Sequence, residues 1–168
     1  AGLNLEICEG ESVQLQATGN GLLYSWSPPN ALSSYIIDDP LANPITSRFY
    51  YVNHSDGVCS AIDSVYINVH NDVPNASFTA FNFCDGDVTY FEANSGLNSS
   101  NNAYTWSFGQ DGYLANSILN VGDNNISLII ENLNNSCKDS IESNVEIFAN
   151  PEIDFILEDV CLNDTAIF

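Results

Sequence analysis

Apolar and polar residues alternate along most of the chain, and a period of two is the mark of a strand with one dry face and one wet face. S-V-Q-L-Q-A at 12–17 puts Val13, Leu15 and Ala17 on one side, and L-L-Y-S-W-S at 22–27 does the same with Leu22, Tyr24 and Trp26. R-F-Y-Y-V-N at 48–53 and D-S-V-Y-I-N-V at 63–69 follow, the latter aligning Val65, Ile67 and Val69. The second half answers with strands expected at 88–93, 103–108, 125–132 and 143–148. Between them lie G-N-G at 19–21, P-P-N at 28–30 and N-S-G-L-N-S-S-N-N at 94–102, all turn chemistry. No stretch shows the i, i+3, i+4 apolar spacing of a helix. Six or seven short strands in each ~75 residues predict an all-β chain of antiparallel β-sandwiches. Trp26 and Trp106, each two residues after a tyrosine on an alternating strand, are expected in the core between the sheets rather than on a ligand platform.

The pattern is written twice. From Cys8 to Cys84 is 76 residues, from Cys59 to Cys137 is 78 and from Cys84 to Cys161 is 77. C-E-G-E-S-V-Q-L at 8–15, C-D-G-D-V-T-Y-F at 84–91 and C-L-N-D-T-A-I-F at 161–168 share cysteine, then Gly or Asn two residues on, then an acid and an apolar run. Pro74 and Pro151 stand ten residues, and Phe78 and Phe155 six residues, ahead of the second and third of these cysteines. Internal periodicity of this kind predicts a tandem array. The expected units are residues 1–72, 73–150 and the start of a third at 151–168, with a parent protein that continues further.

A small sandwich buries a limited core and is often stapled. Cys8 lies just before the second strand of its repeat and Cys59 in the turn before the last, and Cys84 and Cys137 hold the matching places. The expectation is one bridge within each repeat, Cys8–Cys59 and Cys84–Cys137. Cys161 would pair with a residue further along. Each loop of ~50 residues would contribute about 4 kcal/mol on the chain-entropy model. Spacings of 51 and 53 residues, with no C-x-x-C, disfavour zinc or a redox centre. Bridges imply an oxidising compartment.

Charge narrows the partners. The 168 residues carry 22 acids against Arg48 and Lys138, a net charge of −20. Two cations cannot form the basic stripe that nucleic acid or an anionic membrane surface requires. No apolar run reaches the ~18 residues of a membrane span, so no membrane insertion is expected. Such a surface stays solvated and also attracts cations. Calcium wants several oxygens within one loop. Asp72, Asp85 and Asp87 at the junction of the repeats are the candidate ligands, although no EF-hand spacing is present and Asp and Asn also build turns. His54, His70 and Lys138 are the only residues able to serve as a base beside a hydroxyl or thiol nucleophile. The two histidines do not recur in the second repeat, and no enzyme is expected.

C-E-G-E-S-V at 8–13, Y-S-W at 24–26, Y-Y-V at 50–52 and C-S-A-I-D-S-V-Y-I-N-V at 59–69 resemble PKD-type and related immunoglobulin-like repeats. W-S-F-G-Q-D-G at 106–112 is similar to the W-D-F-G-D-G signature of that family with one residue inserted, and W-S-P-P-N-A-L at 26–32 is a more divergent form. The resemblance implies tandem immunoglobulin-like sandwiches of the kind found in very long bacterial surface proteins that use type IX secretion, gliding-motility adhesins among them. It also implies O-glycans at Asp-Ser/Thr-apolar tripeptides, which makes Ser64, Ser140 and Thr165 candidates. N-x-[ST] triplets begin at Asn53, Asn75, Asn98, Asn125, Asn134 and Asn163.

Two functions are expected on these grounds. One is a non-catalytic stalk or spacer of a long extracellular fibre on a bacterial surface. Its partners would be the neighbouring repeats of the chain, with surface glycans or other cell-surface proteins beyond them. The other is a carbohydrate-binding accessory module of a secreted polysaccharide-degrading enzyme. That reading requires an exposed aromatic row, for which Tyr35, Tyr50, Tyr51 and Tyr113 are the candidates.

Overall fold

A computed structural model describes residues 3–19, 23–96 and 101–154. Leu22, Asn98, Cys161, Asn163, Thr165 and the rest of the expected third unit (151–168) from residue 155 onward lie outside the described residues.

The described chain is all-β and folds as antiparallel immunoglobulin-like sandwiches. Twelve strands run in order: β1 (Leu5–Cys8), β2 (Val13–Gln14), β3 (Leu23–Ser27), β4 (Leu41–Ala42), β5 (Arg48–Ser55), β6 (Ser60–His70), β7 (Ser77–Phe81), β8 (Val88–Asn94), β9 (Asn102–Trp106), β10 (Leu114–Ile118), β11 (Gly122–Asn132) and β12 (Lys138–Ile147). The first six make a four-stranded sheet, β1-β6-β5-β3, facing the pair β2-β4. The short pair is extended by Leu15 N–H donating to Pro40 O (2.9 Å) and Ala17 N–H to Asp38 O (2.8 Å). The last six make two three-stranded sheets, β12-β11-β9 and β10-β8-β7.

Alternation on these strands fills two separate cores. Ile7, Leu15, Trp26, Tyr50, Val52, Val65, Ile67 and Val69 form the first, and Phe91, Tyr104, Trp106, Ile126, Leu128, Ile130, Val145 and Ile147 form the second. Trp26 and Trp106 are each 2% exposed. Buried indoles need a partner for the ring N–H. Trp26 Nε1 donates to Ile37 O (2.7 Å) and Trp106 Nε1 to Gly112 O (2.9 Å). The two W-S loops thus close by the same device over different lengths.

The early cysteines are placed by parallel pairing. Cys8 ends β1 opposite His70, the last residue of β6. Cys84 makes an isolated parallel bridge with Phe148, one residue past β12. Each cysteine opens a tight turn, with Glu11 N–H donating to Cys8 O (3.0 Å) and Asp87 N–H to Cys84 O (3.2 Å). The third residue of that turn needs positive φ, which explains Gly10 (φ 91°) and Gly86 (φ 79°).

The late cysteines sit at the other end of the same strands. Cys59 immediately precedes Ser60, the first residue of β6, and Cys137 precedes Lys138, the first of β12. β6 is 11 residues long and β12 is 10. At ~3.3 Å per residue those strands separate early from late cysteine by about 30–35 Å. A disulfide tolerates a Cα–Cα distance of no more than ~7 Å. The expected bridges Cys8–Cys59 and Cys84–Cys137 are therefore corrected. The bridge formed is Cys8–Cys137, with Cα atoms 5.7 Å apart and 129 residues between them, while Cys59 and Cys84 are exposed and free.

Candidate functional site

The bridge joins the first sandwich to the second, and the residues around it make a defined joint. The turn between β11 and β12 reaches back to the connecting segment. Asn132 Nδ2 donates to Asp72 O (2.9 Å), and Asn135 Nδ2 donates to the same carbonyl (3.2 Å). Asn132 is 5% exposed, and its Oδ1 accepts from Asn134 N–H (3.0 Å), so one buried side chain both shapes the turn and grips the joint. Asn135 Oδ1 accepts from Cys137 N–H (3.0 Å), which orients the bridging cysteine. Cys137 is fully buried. On the other side, Glu11 Oε2 accepts from Cys8 N–H (2.9 Å) and Glu9 N–H donates to His70 O (2.9 Å). A further contact closes the segment from the second core: Ala76 N–H donates to Asp139 Oδ2 (2.7 Å). A cleft of about 200 Å³ lies here, lined by Glu6, Cys8, Glu11, His70, Asn135 and Ser136 among others. Its imidazole is already engaged, with His70 Nε2 3.3 Å from Glu6 Oε2.

The candidate calcium ligands do not converge. Asp72 lies at the β11–β12 turn through its carbonyl, whereas Asp85 N–H donates to Phe148 O (2.9 Å) beyond the opposite end of β12, and Asp87 closes the same turn as Asp85. A strand of 10 residues stands between the two places. The expectation that these three acids share a site is corrected on that geometry. Among the described residues no group of three or more His, Cys, Asp or Glu side chains could hold a metal ion. The candidate bases are bound into the framework: the His54 ring lies 4.7 Å from that of Tyr24, and Lys138 Nζ lies 3.0 Å from Glu131 Oε2. A side chain at Gly19 would overlap the His54 ring.

The turn carrying the unbridged Cys59 has its own lock. Asp56 Oδ1 accepts from Cys59 N–H (2.7 Å) and Val58 N–H (2.8 Å). These bonds, that from Cys59 foremost, hold its carboxyl below the ordinary aspartate range.

The outer face of the first large sheet presents aromatic rings. Phe49 and Tyr51, two residues apart on β5, are about half exposed with ring centroids 6.1 Å apart, and the Tyr66 ring lies 4.8 Å from Phe49. The expected row is thereby corrected. Tyr50 is fully buried, its hydroxyl donating to Asn30 O (2.9 Å), because the strand alternates and Tyr50 points inward. Tyr35, Tyr51 and Tyr113 are exposed. Phe49 and Tyr66 escaped the sequence reading, although the F-Y-Y run on β5 and the Tyr66 partner of Phe49 were the signal available.

Ser64 is half-buried on β6 opposite Tyr51, and Ser140 is exposed on β12 opposite Ile129. They are not at equal heights: Ser64 stands six residues before the partner of Cys8, and Ser140 eight residues before that of Cys84.

No family model matches the chain, and no curated protein matches it. Solved structures do resemble it in fold. Murine CEACAM1b is 12% identical, with a TM-score of 0.38 over 86% of this chain and 96% of that one. The fibronectin(III)-like modules of Clostridium thermocellum CbhA are 11% identical, with a TM-score of 0.38 over 87% and 90%. BT4661, a SusE-like surface located polysaccharide binding protein from the Bacteroides thetaiotaomicron heparin utilisation locus, is 8% identical, with a TM-score of 0.45 over 88% of this chain and 33% of that one. At these identities and TM-scores the likeness carries nothing about this chain's role. No helix among the described residues is long and apolar enough to cross a membrane.

Proposed function

We propose that this chain is a non-catalytic spacer, a pair of PKD-type repeats (1–72 and 73–150, followed by the start of a third) from a long extracellular bacterial surface protein. The observation that carries the reading is the closed joint. A disulfide, two side-chain amides on one carbonyl and a connecting segment of six residues between β6 and β7 couple two sandwiches that have separate cores. A protein that bends around a ligand has no use for such a clamp, whereas one that holds a fixed spacing does. Units that touch chiefly their neighbours behave as a quasi-one-dimensional array. The net charge of −20 adds mutual repulsion over a Debye length of ~8 Å at physiological salt. The neighbouring repeats are the first partners, and exposed Ser140 is the better placed of the two described O-glycan candidates. Small-angle scattering tests the reading. The maximum dimension should exceed that of a compact globule of equal mass and change little with salt. Compact scattering at every salt concentration would remove its physical basis.

A second reading is favoured by the exposed Phe49 and Tyr51 rings and the half-buried Tyr66 ring beside them, since aromatics on a sheet face suit the apolar faces of sugar rings. A glycan array with the chain and with Phe49→Ala decides it: binding that is lost on substitution supports a carbohydrate-binding module, and absence of binding by the chain dismisses it.

A further inference from the structure

Each sandwich has one cysteine in the joint and one outside it, and the two exceptions are complementary. In the first sandwich the early cysteine is bridged and the late one, Cys59, is free. In the second the late cysteine is bridged and the early one, Cys84, is free. We infer that Cys59 and Cys84 are the open halves of the same staple. Cys84 takes the late cysteine of the repeat that follows, and Cys59 the early cysteine of the repeat that precedes, so that successive joints are closed as this one is.

The equivalence is structural. Cys84 repeats the setting of Cys8: a parallel pairing to the end of the last strand (Cys8 with His70, Cys84 with Phe148). The next amide donates to that partner's carbonyl at 2.9 Å in both, and both open the same glycine turn. Cys59 repeats the setting of Cys137. Each precedes the last strand, each has its N–H held by a turn carboxylate or amide oxygen (Asp56 Oδ1 at 2.7 Å, Asn135 Oδ1 at 3.0 Å) and each accepts a backbone N–H at the hairpin (from Asp56 at 3.3 Å, from Asn132 at 2.8 Å). Cys59 lies a full β6 length from the joint and Cys84 a full β12 length from it, so each is at the end of its sandwich that faces away from the present partner. The burial agrees: Cys137, with a partner, is fully buried, and Cys59 and Cys84 are exposed. The chain also begins the text of a following unit, with Pro151 placed before Cys161 as Pro74 is before Cys84. Closure needs an oxidant, and a disulfide of glutathione type supplies it by exchange. One S–S bond forms between the cysteines, the S–S bond of the oxidant breaks, and the two thiol protons end on the two released thiols.

The inference rests on the repeat reading of the chain. Its test uses a second copy as the neighbouring repeat. One variant keeps Cys84 as its only free thiol (Cys59→Ser with Cys161→Ser), and the other keeps Cys59 (Cys84→Ser with Cys161→Ser). Mapping of Cys8–Cys137 in each establishes that the substitutions leave the existing joint intact. The two are mixed in equal amounts in a glutathione redox buffer and the products are resolved by mass spectrometry. Docking raises the local thiol concentration, so the Cys84–Cys59 dimer should exceed either like-with-like dimer by about tenfold or more. A statistical mixture, an excess of like-with-like dimers, or glutathione adducts alone would overturn the inference. Any of these would leave the spacer reading to be decided by scattering.

Discussion

The two sandwiches carry the same phrases but do not use them in the same way. In the second, Phe78, Phe91, Trp106 and Phe108 form an aromatic cluster, its neighbouring ring centroids 5.2–6.0 Å apart, and β7 completes a three-stranded sheet against β8. In the first, the tryptophan shares its core with Leu15, Ala17, Val52 and Val65, and the facing sheet is the short pair β2-β4. The core tolerates this change of content because the alternation and the ring N–H bond are kept. The cysteines differ in another way. Their local settings match, and only their occupancy differs, because occupancy depends on which neighbour is present. Core content belongs to each sandwich, and the staple belongs to the joint.

That distinction can be broken most forcefully at the bridge. Cys8→Ala should destabilise by up to about 5 kcal/mol on the chain-entropy model, given 129 residues between the cysteines. Cys137→Ala should do the same, and the double variant should add little. Cys59→Ala should be nearly neutral. Equal losses at Cys8 and Cys59 in urea denaturation would restore pairing within the repeat. Next in size, Trp106→Ala should cost about 3–5 kcal/mol. The loss should be confined to the second sandwich, with Trp26 fluorescence still reporting a native first core. A shift of the Trp26 transition to lower denaturant in this variant would mean that the cores are not independent.

Smaller effects sharpen the joint. Asn132→Ala removes one of two amides on Asp72 O and the acceptor for Asn134 N–H, and should cost about 1–2 kcal/mol, seen also as faster hydrogen exchange at Asn134. The smallest concerns Asp56. Its carboxyl is depressed in the folded chain, so its contribution is complete above the ordinary aspartate value and fades as pH falls through the lower folded value. Below about pH 4 the amides of Val58 and Cys59 should begin to exchange faster, and Asp56→Asn should largely abolish that pH dependence. Unchanged exchange down to pH 2 would remove the carboxylate from the account of this turn.

Much of the fold was legible because period two is a local property. Val65, Ile67 and Val69 declare their face without reference to anything distant, and so do Trp26 and Trp106. Strands that are short or weakly patterned were not visible: β4 has two residues, and L-A-N-S-I in β10 has little contrast between its faces. The cysteine pairing was illegible for a different reason. Spacing along the chain says which strand a cysteine adjoins but not which end of the sandwich it reaches. The parallel register of Cys8 with His70 decides that, and no local pattern encodes it. Asp72, Asp85 and Asp87 failed to meet for the same reason, being close in sequence and placed at opposite ends of β12.

Non-reducing peptide mapping of the monomeric chain is the most direct test of the central claim, that the staple crosses the joint. It should find the Cys8 peptide linked to the Cys137 peptide, with Cys59 and Cys84 open to alkylation. A map showing Cys8 linked to Cys59 and Cys84 linked to Cys137 would contradict it.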